Sequence, residues 1–191
     1  MRRMFLVSGL VLVGIPAFAV TVTGTYGCTS QVPGITNTIT FAGESAVDPL
    51  GYATYTTPYF DQGTNPGCGA DWLGLSGGQT TTITFSAPMD YFGLVWGSPD
   101  WYNSLELLDG ATVLGTYTGS IVGGGHTYLN FFADPGEQFT EVVLSSSACC
   151  FESQNHSYQL ASTSTPEPGT LGLLIPPILA GFRVRRSRRR A

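Results

Sequence analysis

The chain has 191 residues, of which 42% are hydrophobic and only 11% charged, with a formal net charge of −5. That length fits one domain of typical size. The acidic balance and the scarcity of Ala-Glu-Lys helix formers argue against a nucleic-acid binder and against a helical bundle.

Charge is distributed unevenly along the chain. All eight basic residues are arginines, and none lies between Val20 and Phe182. Of the 13 Asp and Glu, only Glu167 lies outside residues 20–161, so that segment carries 12 negative charges against no positive ones. Its stability must come from burial and backbone hydrogen bonds, with disulfides or a bound cation as the further sources open to it, because it has no Lys or Arg with which to form ion pairs.

The first element reads as an export signal. Arg2 and Arg3 precede the apolar run Met4–Phe18, and Ala17-Phe18-Ala19 meets the small-x-small rule for signal peptidase. Residues 1–19 are therefore expected to be a signal peptide, cut after Ala19. The run is short for a spanning helix, which needs roughly 20 apolar residues. Arg2-Arg3-Met4-Phe5-Leu6 lacks the polar lead-in of a twin-arginine signal, so the general secretory route is expected.

Residues 20–161 read as a single acidic β-domain, rich in Thr, Ser, Gly, Tyr and Phe. Gly43–Gly78 is loop-rich. Gln79–Phe85 alternates Thr81, Ile83 and Phe85 with polar neighbours, and Tyr91–Trp96 is a near-continuous apolar run suited to a central strand. Further strands are expected over Ser104–Leu108, Thr112–Thr118, Thr127–Ala133, Phe139–Leu144 and Phe151–Leu160. Gly97–Asp100, Asp109-Gly110, Gly123–Gly125 and Asp134–Gly136 punctuate them. Short strands at roughly ten-residue spacing predict an antiparallel β-sandwich or jelly roll.

Residues 162–170 form a polar linker ending in Pro166-Glu167-Pro168-Gly169-Thr170, and residues 171–191 hold the apolar run Leu171–Phe182 and the basic tail. Arg183, Arg185, Arg186, Arg188, Arg189 and Arg190 would keep that tail on the cytoplasmic side of a membrane. The order Pro-Glu-Pro, apolar segment, Arg block resembles the PEP-CTERM sorting signal read by bacterial exosortases. The resemblance implies a Gram-negative envelope protein with the export machinery and an exosortase as partners. It would be held transiently in the inner membrane, cut near Pro166–Pro168, and released to the cell surface or extracellular matrix. The apolar run has 12 residues and contains Pro176 and Pro177. As a helix it would reach only about 18 Å, which suits a brief hold better than a stable span of roughly 30 Å of hydrocarbon.

The central block also resembles a group of exosortase-dependent surface proteins. Their Trp-Gly-Ser-x-Asp-x-Tyr-Asn segment matches Trp96-Gly97-Ser98-Pro99-Asp100-Trp101-Tyr102-Asn103. Their last strand carries Phe-Glu-x-Asp-Asn, here Phe151-Glu152-Ser153-Gln154-Asn155, with Gln154 in place of the acidic residue. The resemblance supports fold and location and brings no catalytic activity.

Several side chains are candidates for chemistry. Trp72, Trp96, Trp101 and Tyr102 could form a stacking platform for sugar, since aromatic faces cover sugar C–H groups while polar neighbours fix hydroxyls. Trp96 is expected in the core. Trp101 and Tyr102, beside a turn, are expected at the surface with Asp100 and Asn103, where extracellular polysaccharide would be the ligand. Asp90, Asp100, Asn103, Asp109 and Asn155 offer oxygens of the kind calcium takes, but no EF-hand or calcium repeat is present, and a role as turn formers is preferred. No cofactor is expected, calcium being the single alternative.

Cys28, Cys68, Cys149 and Cys150 are an even set in an exported domain, so at least one disulfide is expected, with three connectivities open. Adjacent cysteines in a strand point to opposite faces and rarely bridge each other, so Cys149 and Cys150 could each reach a different partner. His126 and His156 read as loop or surface residues. There is no nucleophile-elbow sequence, and an enzyme is not expected. Three functions follow in order: a structural or interaction protein of the surface or matrix, a carbohydrate-binding module, and a glycosidase, which would need two carboxylates about 5–10 Å apart in a cleft.

Overall fold

The computed structural model describes residues 20–42, 45–56, 60–62, 68, 71–97, 99–121 and 127–162. The expected signal segment with Ala17 and Ala19, His126, and the expected sorting motif, apolar run and Arg tail, all of residue 163 onward, lie outside the described residues.

The domain is an all-β antiparallel sandwich. Its strands are β1 (Val20–Tyr26), β2 (Thr40–Ala42), β3 (Ser45–Val47), β4 (Ala53–Tyr55), β5 (Phe60–Gln62), β6 (Asp71–Leu75), β7 (Thr80–Trp96), β8 (Asn103–Asp109), β9 (Thr112–Thr118), β10 (Thr127–Ala133), β11 (Phe139–Ser146) and β12 (Phe151–Leu160). The only helical turn among the described residues is the 3-10 turn Gly119–Ile121.

The 17-residue strand β7 organises the sandwich. Its second half pairs with β12 on one side and β10 on the other, continuing to β6 and β5 beyond β12 and to β1 beyond β10. Its first half pairs with β4 and β11, continuing through β8 to β9. One strand thus belongs to both layers, and the sheet folds over on itself near Pro88. Proline is tolerated there because the pairing partners change at that point. The register with β11 shifts between Phe139 and Glu141, and that with β12 between Gln159 and Leu160. The two runs read as separate strands, Gln79–Phe85 and Tyr91–Trp96, are therefore halves of one.

Aromatic side chains fill the space between the layers. Phe85 from the first half of β7 meets Phe92 from the second half at 6.4 Å between ring centroids, Phe139 at 6.2 Å and Tyr158 at 5.3 Å. Tyr117 of β9 packs on Phe131 of β10 at 5.1 Å. Trp96 is fully buried against Phe151.

The near-continuous apolar run of β7 is explained by cover on both faces. Phe92, Leu94 and Trp96 point into the core. On the other face Tyr91 lies among Phe132, Asn130 and Ser30, the last from the loop after β1. Gly93 lies between them because a Cβ there would collide with the Tyr91 hydroxyl and the Tyr128 ring.

Candidate functional site

The turns at one end of the sandwich hold the predicted sugar contacts. The β7–β8 loop turns through an Asn103 N–H to Asp100 C=O bond of 3.0 Å. Gly119, at the end of β9, packs so closely on the Pro99–Asp100 backbone that a Cβ would overlap it. This contact fixes the loop from below. Trp101 projects outward and is 74% exposed. Tyr102 is half-buried, edge-on to Trp101 at 5.6 Å, and donates its hydroxyl to Asp100 Oδ2 at 2.8 Å. That bond to a carboxylate pushes the Tyr102 phenol pKa up, with burial and the Asp100 charge adding to it.

The structure thus brings Asp100, Trp101 and Tyr102 together at the surface but removes the other predicted members. Asn103 begins β8, is fully buried, and its Nδ2 donates to Cys150 C=O at 3.2 Å. Inward-facing alternation along β8 puts it there, so it is a structural brace and not a reader of sugar hydroxyls. Trp72 of β6 is also buried, and Trp96 is core as expected.

The turn beside this loop carries the second finding. Cys149 and Cys150 are bonded to each other, and Cys28 to Cys68. The expectation that adjacent cysteines take separate partners is therefore corrected. It assumed a strand, whereas residues 147–150 form the turn between β11 and β12, with Cys150 at φ +58°. In a turn the alternation of faces is lost and neighbouring side chains can converge. Both cysteines are exposed. The turn is anchored to the Trp101 loop by Ser147 N–H to Tyr102 C=O at 3.0 Å and by the Asn103–Cys150 bond.

The other disulfide is tied to β12. A bulge between Gln154 and Ser157 leaves Asn155 in the left-handed region at φ +51°. Asn155 Nδ2 donates to Cys28 C=O at 2.7 Å. Gln154 accepts from Cys68 N–H at 3.0 Å and donates to Asp71 C=O at 2.7 Å. The amide at Gln154 can both accept and donate, which a carboxylate cannot do.

The same bulge accounts for His156, whose predicted surface position is also corrected. In a regular strand Ser153 and His156 would face opposite ways. The extra residue turns both inward, and both are fully buried. His156 Nε2 lies 2.9 Å from Ser153 Oγ, and Nδ1 lies 2.8 Å from the Tyr55 hydroxyl. Phe41 and Phe92 pack edge-on against the imidazole. The serine–histidine contact is enclosed by core, so a substrate could reach it only if the sandwich opened. No sequence motif marks it, because its parts come from β4 and the two sides of a bulge.

Burial drives the His156 pKa from 6.5 down to about 3. Between those values the unfolded chain binds a proton that the folded protein excludes. Stability therefore falls as pH drops through this window, by up to about 1.4 kcal/mol per pH unit well inside it. Asp48 acts in the same direction. Burial raises its pKa, but hydrogen bonds from Ala53 N–H, the Tyr158 hydroxyl and Leu50 N–H outweigh that and lower it. Urea unfolding at pH 7.0 and 4.5 should show a steep loss that is flattened in His156→Gln. Equal slopes in the two proteins would refute the assignment to His156.

The five oxygen-bearing residues considered for calcium are not assembled into one site. Asp100 is held by Tyr102, Asn103 is buried, Asn155 binds Cys28, Asp109 is the last residue of β8, and Asp90 lines a pocket of about 410 Å³ with Asp134 and Glu137. Among the described residues no group of three or more His, Cys, Asp or Glu is arranged to hold a metal ion. A second pocket, about 390 Å³, is lined by Val20, Val22, Tyr117 and Leu129 between β1 and β9. Neither pocket includes Trp101. No family model, curated protein or solved structure matches the chain.

Proposed function

We propose that this is an exported protein of a Gram-negative envelope, sorted through its C-terminal segment and displayed at the cell surface or in the extracellular matrix in a structural or interaction role. The observation that carries the reading is the segregation of charge. Every arginine flanks an apolar run, Met4–Phe18 or Leu171–Phe182, and the domain between them has none. Basic flanks on apolar segments are retained on the cytoplasmic side during insertion, while Pro166-Glu167-Pro168 supplies the resemblance to an exosortase signal. Two disulfides in one small domain support an oxidising compartment. Mass spectrometry of the surface form should find a start at Val20 and no peptide from Leu171 onward. Intact Arg183–Ala191 on mature surface protein would defeat the sorting reading.

A second reading is favoured by the exposure of Trp101. An exposed tryptophan braced by Tyr102, with Asp100 alongside, has the composition of a sugar-stacking face. Exopolysaccharide is the ligand this reading names. Trp101→Ala should abolish retention of the protein on polysaccharide while changing stability by less than about 0.5 kcal/mol, as for surface substitutions generally. Unchanged retention in the variant, or none in the wild type, would leave the structural role alone.

A further inference from the structure

We propose that Cys149–Cys150 is a thiol-exchange site, opened by an extracytoplasmic dithiol while Cys28–Cys68 stays closed, and that its opening releases the turn holding Tyr102 and Asn103. The proposal goes beyond the export reading and is independent of what Trp101 binds.

The two disulfides differ in what they can do for the fold. Cys28–Cys68 links positions 40 residues apart and is tied to β12 through Asn155 and Gln154. A cross-link stabilises by restricting the unfolded chain, and the restriction grows with the loop it closes. Cys149–Cys150 joins neighbours in sequence and closes no loop between elements. It contributes almost nothing by that route, and no packing hides it, since Ser147 to Cys150 are all exposed.

Access decides which disulfide a thiol attacks. The Cys149 and Cys150 sulfurs lie on an exposed turn, whereas Cys28 and Cys68 are both partly covered. The step balances as ordinary exchange. A thiolate of the dithiol attacks one sulfur, forming a mixed disulfide and expelling the other cysteine as thiolate, which takes up a proton. The second thiol of the reagent then displaces the first cysteine. Two electrons and two protons pass to the pair, and the dithiol leaves as its own disulfide.

The structural consequence follows from the backbone. Cys150 occupies the left-handed region, which a residue with a Cβ enters rarely. While the disulfide is closed, its ring holds the Cys149–Cys150 backbone in place. Once it opens, Cys150 can relax toward negative φ, carrying away the carbonyl that Asn103 Nδ2 contacts and loosening the Ser147 N–H to Tyr102 C=O bond.

The test uses the full chain in detergent, titrated with dithiothreitol, quenched with an alkylating agent and mapped by peptide mass spectrometry. Cys149 and Cys150 should be labelled at about one-tenth or less of the dithiol concentration that labels Cys28 and Cys68. Amide exchange at Ser147 should accelerate in the same first step. Labelling of all four cysteines together, or of Cys28 and Cys68 first, would overturn selective opening. Unchanged exchange at Ser147 after that step would overturn the release of the turn. The paired variant Cys149→Ser, Cys150→Ser gives a check without reductant. It should show the fast Ser147 exchange with no reductant added, and slow exchange in it would equally count against the coupling.

Discussion

Trp96→Ala is expected to destabilise the domain by about 3–5 kcal/mol, the range for truncating a buried aromatic. Trp96 ends the strand shared by both layers, lies opposite Thr127 on β10 and Ser153 on β12, and its ring sits 4.8 Å from that of Phe151. None of it reaches solvent. The neighbours that would have to close the cavity are strand residues fixed by pairing on both sides, so relaxation is limited. Urea unfolding at pH 7 should show a lower midpoint with an unchanged slope. The contrast with Trp101 is the informative part. The two residues are five positions apart, and burial alone separates a large effect from a negligible one. A loss below about 1 kcal/mol for Trp96→Ala would contradict the core described here.

The strands could be read from the sequence where alternation and turn residues agreed. Thr112–Thr118, Thr127–Ala133 and Phe151–Leu160 have the expected bounds, because each is flanked by Gly, Pro, Asp or Ser turns. Strand β7 reads in sequence as two runs, because alternation over Gln79–Phe85 gives way to a continuous apolar stretch over Tyr91–Trp96, and only the exchange of partners between layers joins them through Pro88. Strand β1 alternates Val20 and Val22 with threonines, but its partner β10 lies more than 100 residues away in sequence. In the Gly43–Gly78 stretch β4 and β6 pair with the distant β7 and β12, while β3 and β5 pair with their sequence neighbours β2 and β6. Candidate-site residues divided along the same line. Trp101 was legible as exposed because it follows a Gly-Ser-Pro-Asp turn. Asn103 was not legible as buried, because its place depends on the first residue of a strand. His156 depended on a bulge, and the Cys149–Cys150 bond on a turn to which the alternating faces of a strand do not apply.

The second large effect belongs to Cys28–Cys68. Replacing both by serine should cost about 4 kcal/mol by the entropy of the loop released, within a usual range of about 2–5 kcal/mol. The bond fastens the loop after β1 to the segment before β6, and both cysteines are held on adjacent residues of β12, Cys28 by Asn155 and Cys68 by Gln154. Gln154 is itself buried, so Gln154→Ala in the oxidised protein should cost about 1–3 kcal/mol for the Cys68 N–H and Asp71 C=O left unpaired. The two losses should not add. Without the disulfide the Cys68 segment can move to meet water, and truncating Gln154 then leaves less unsatisfied. A double-mutant cycle should therefore give a coupling of about 0.5–3 kcal/mol. Additive losses would mean that Gln154 braces Asp71 independently of the cross-link. A serine pair with the wild-type midpoint would mean that the domain, with no Lys or Arg and 12 negative charges, is held by its apolar core and backbone pairing alone.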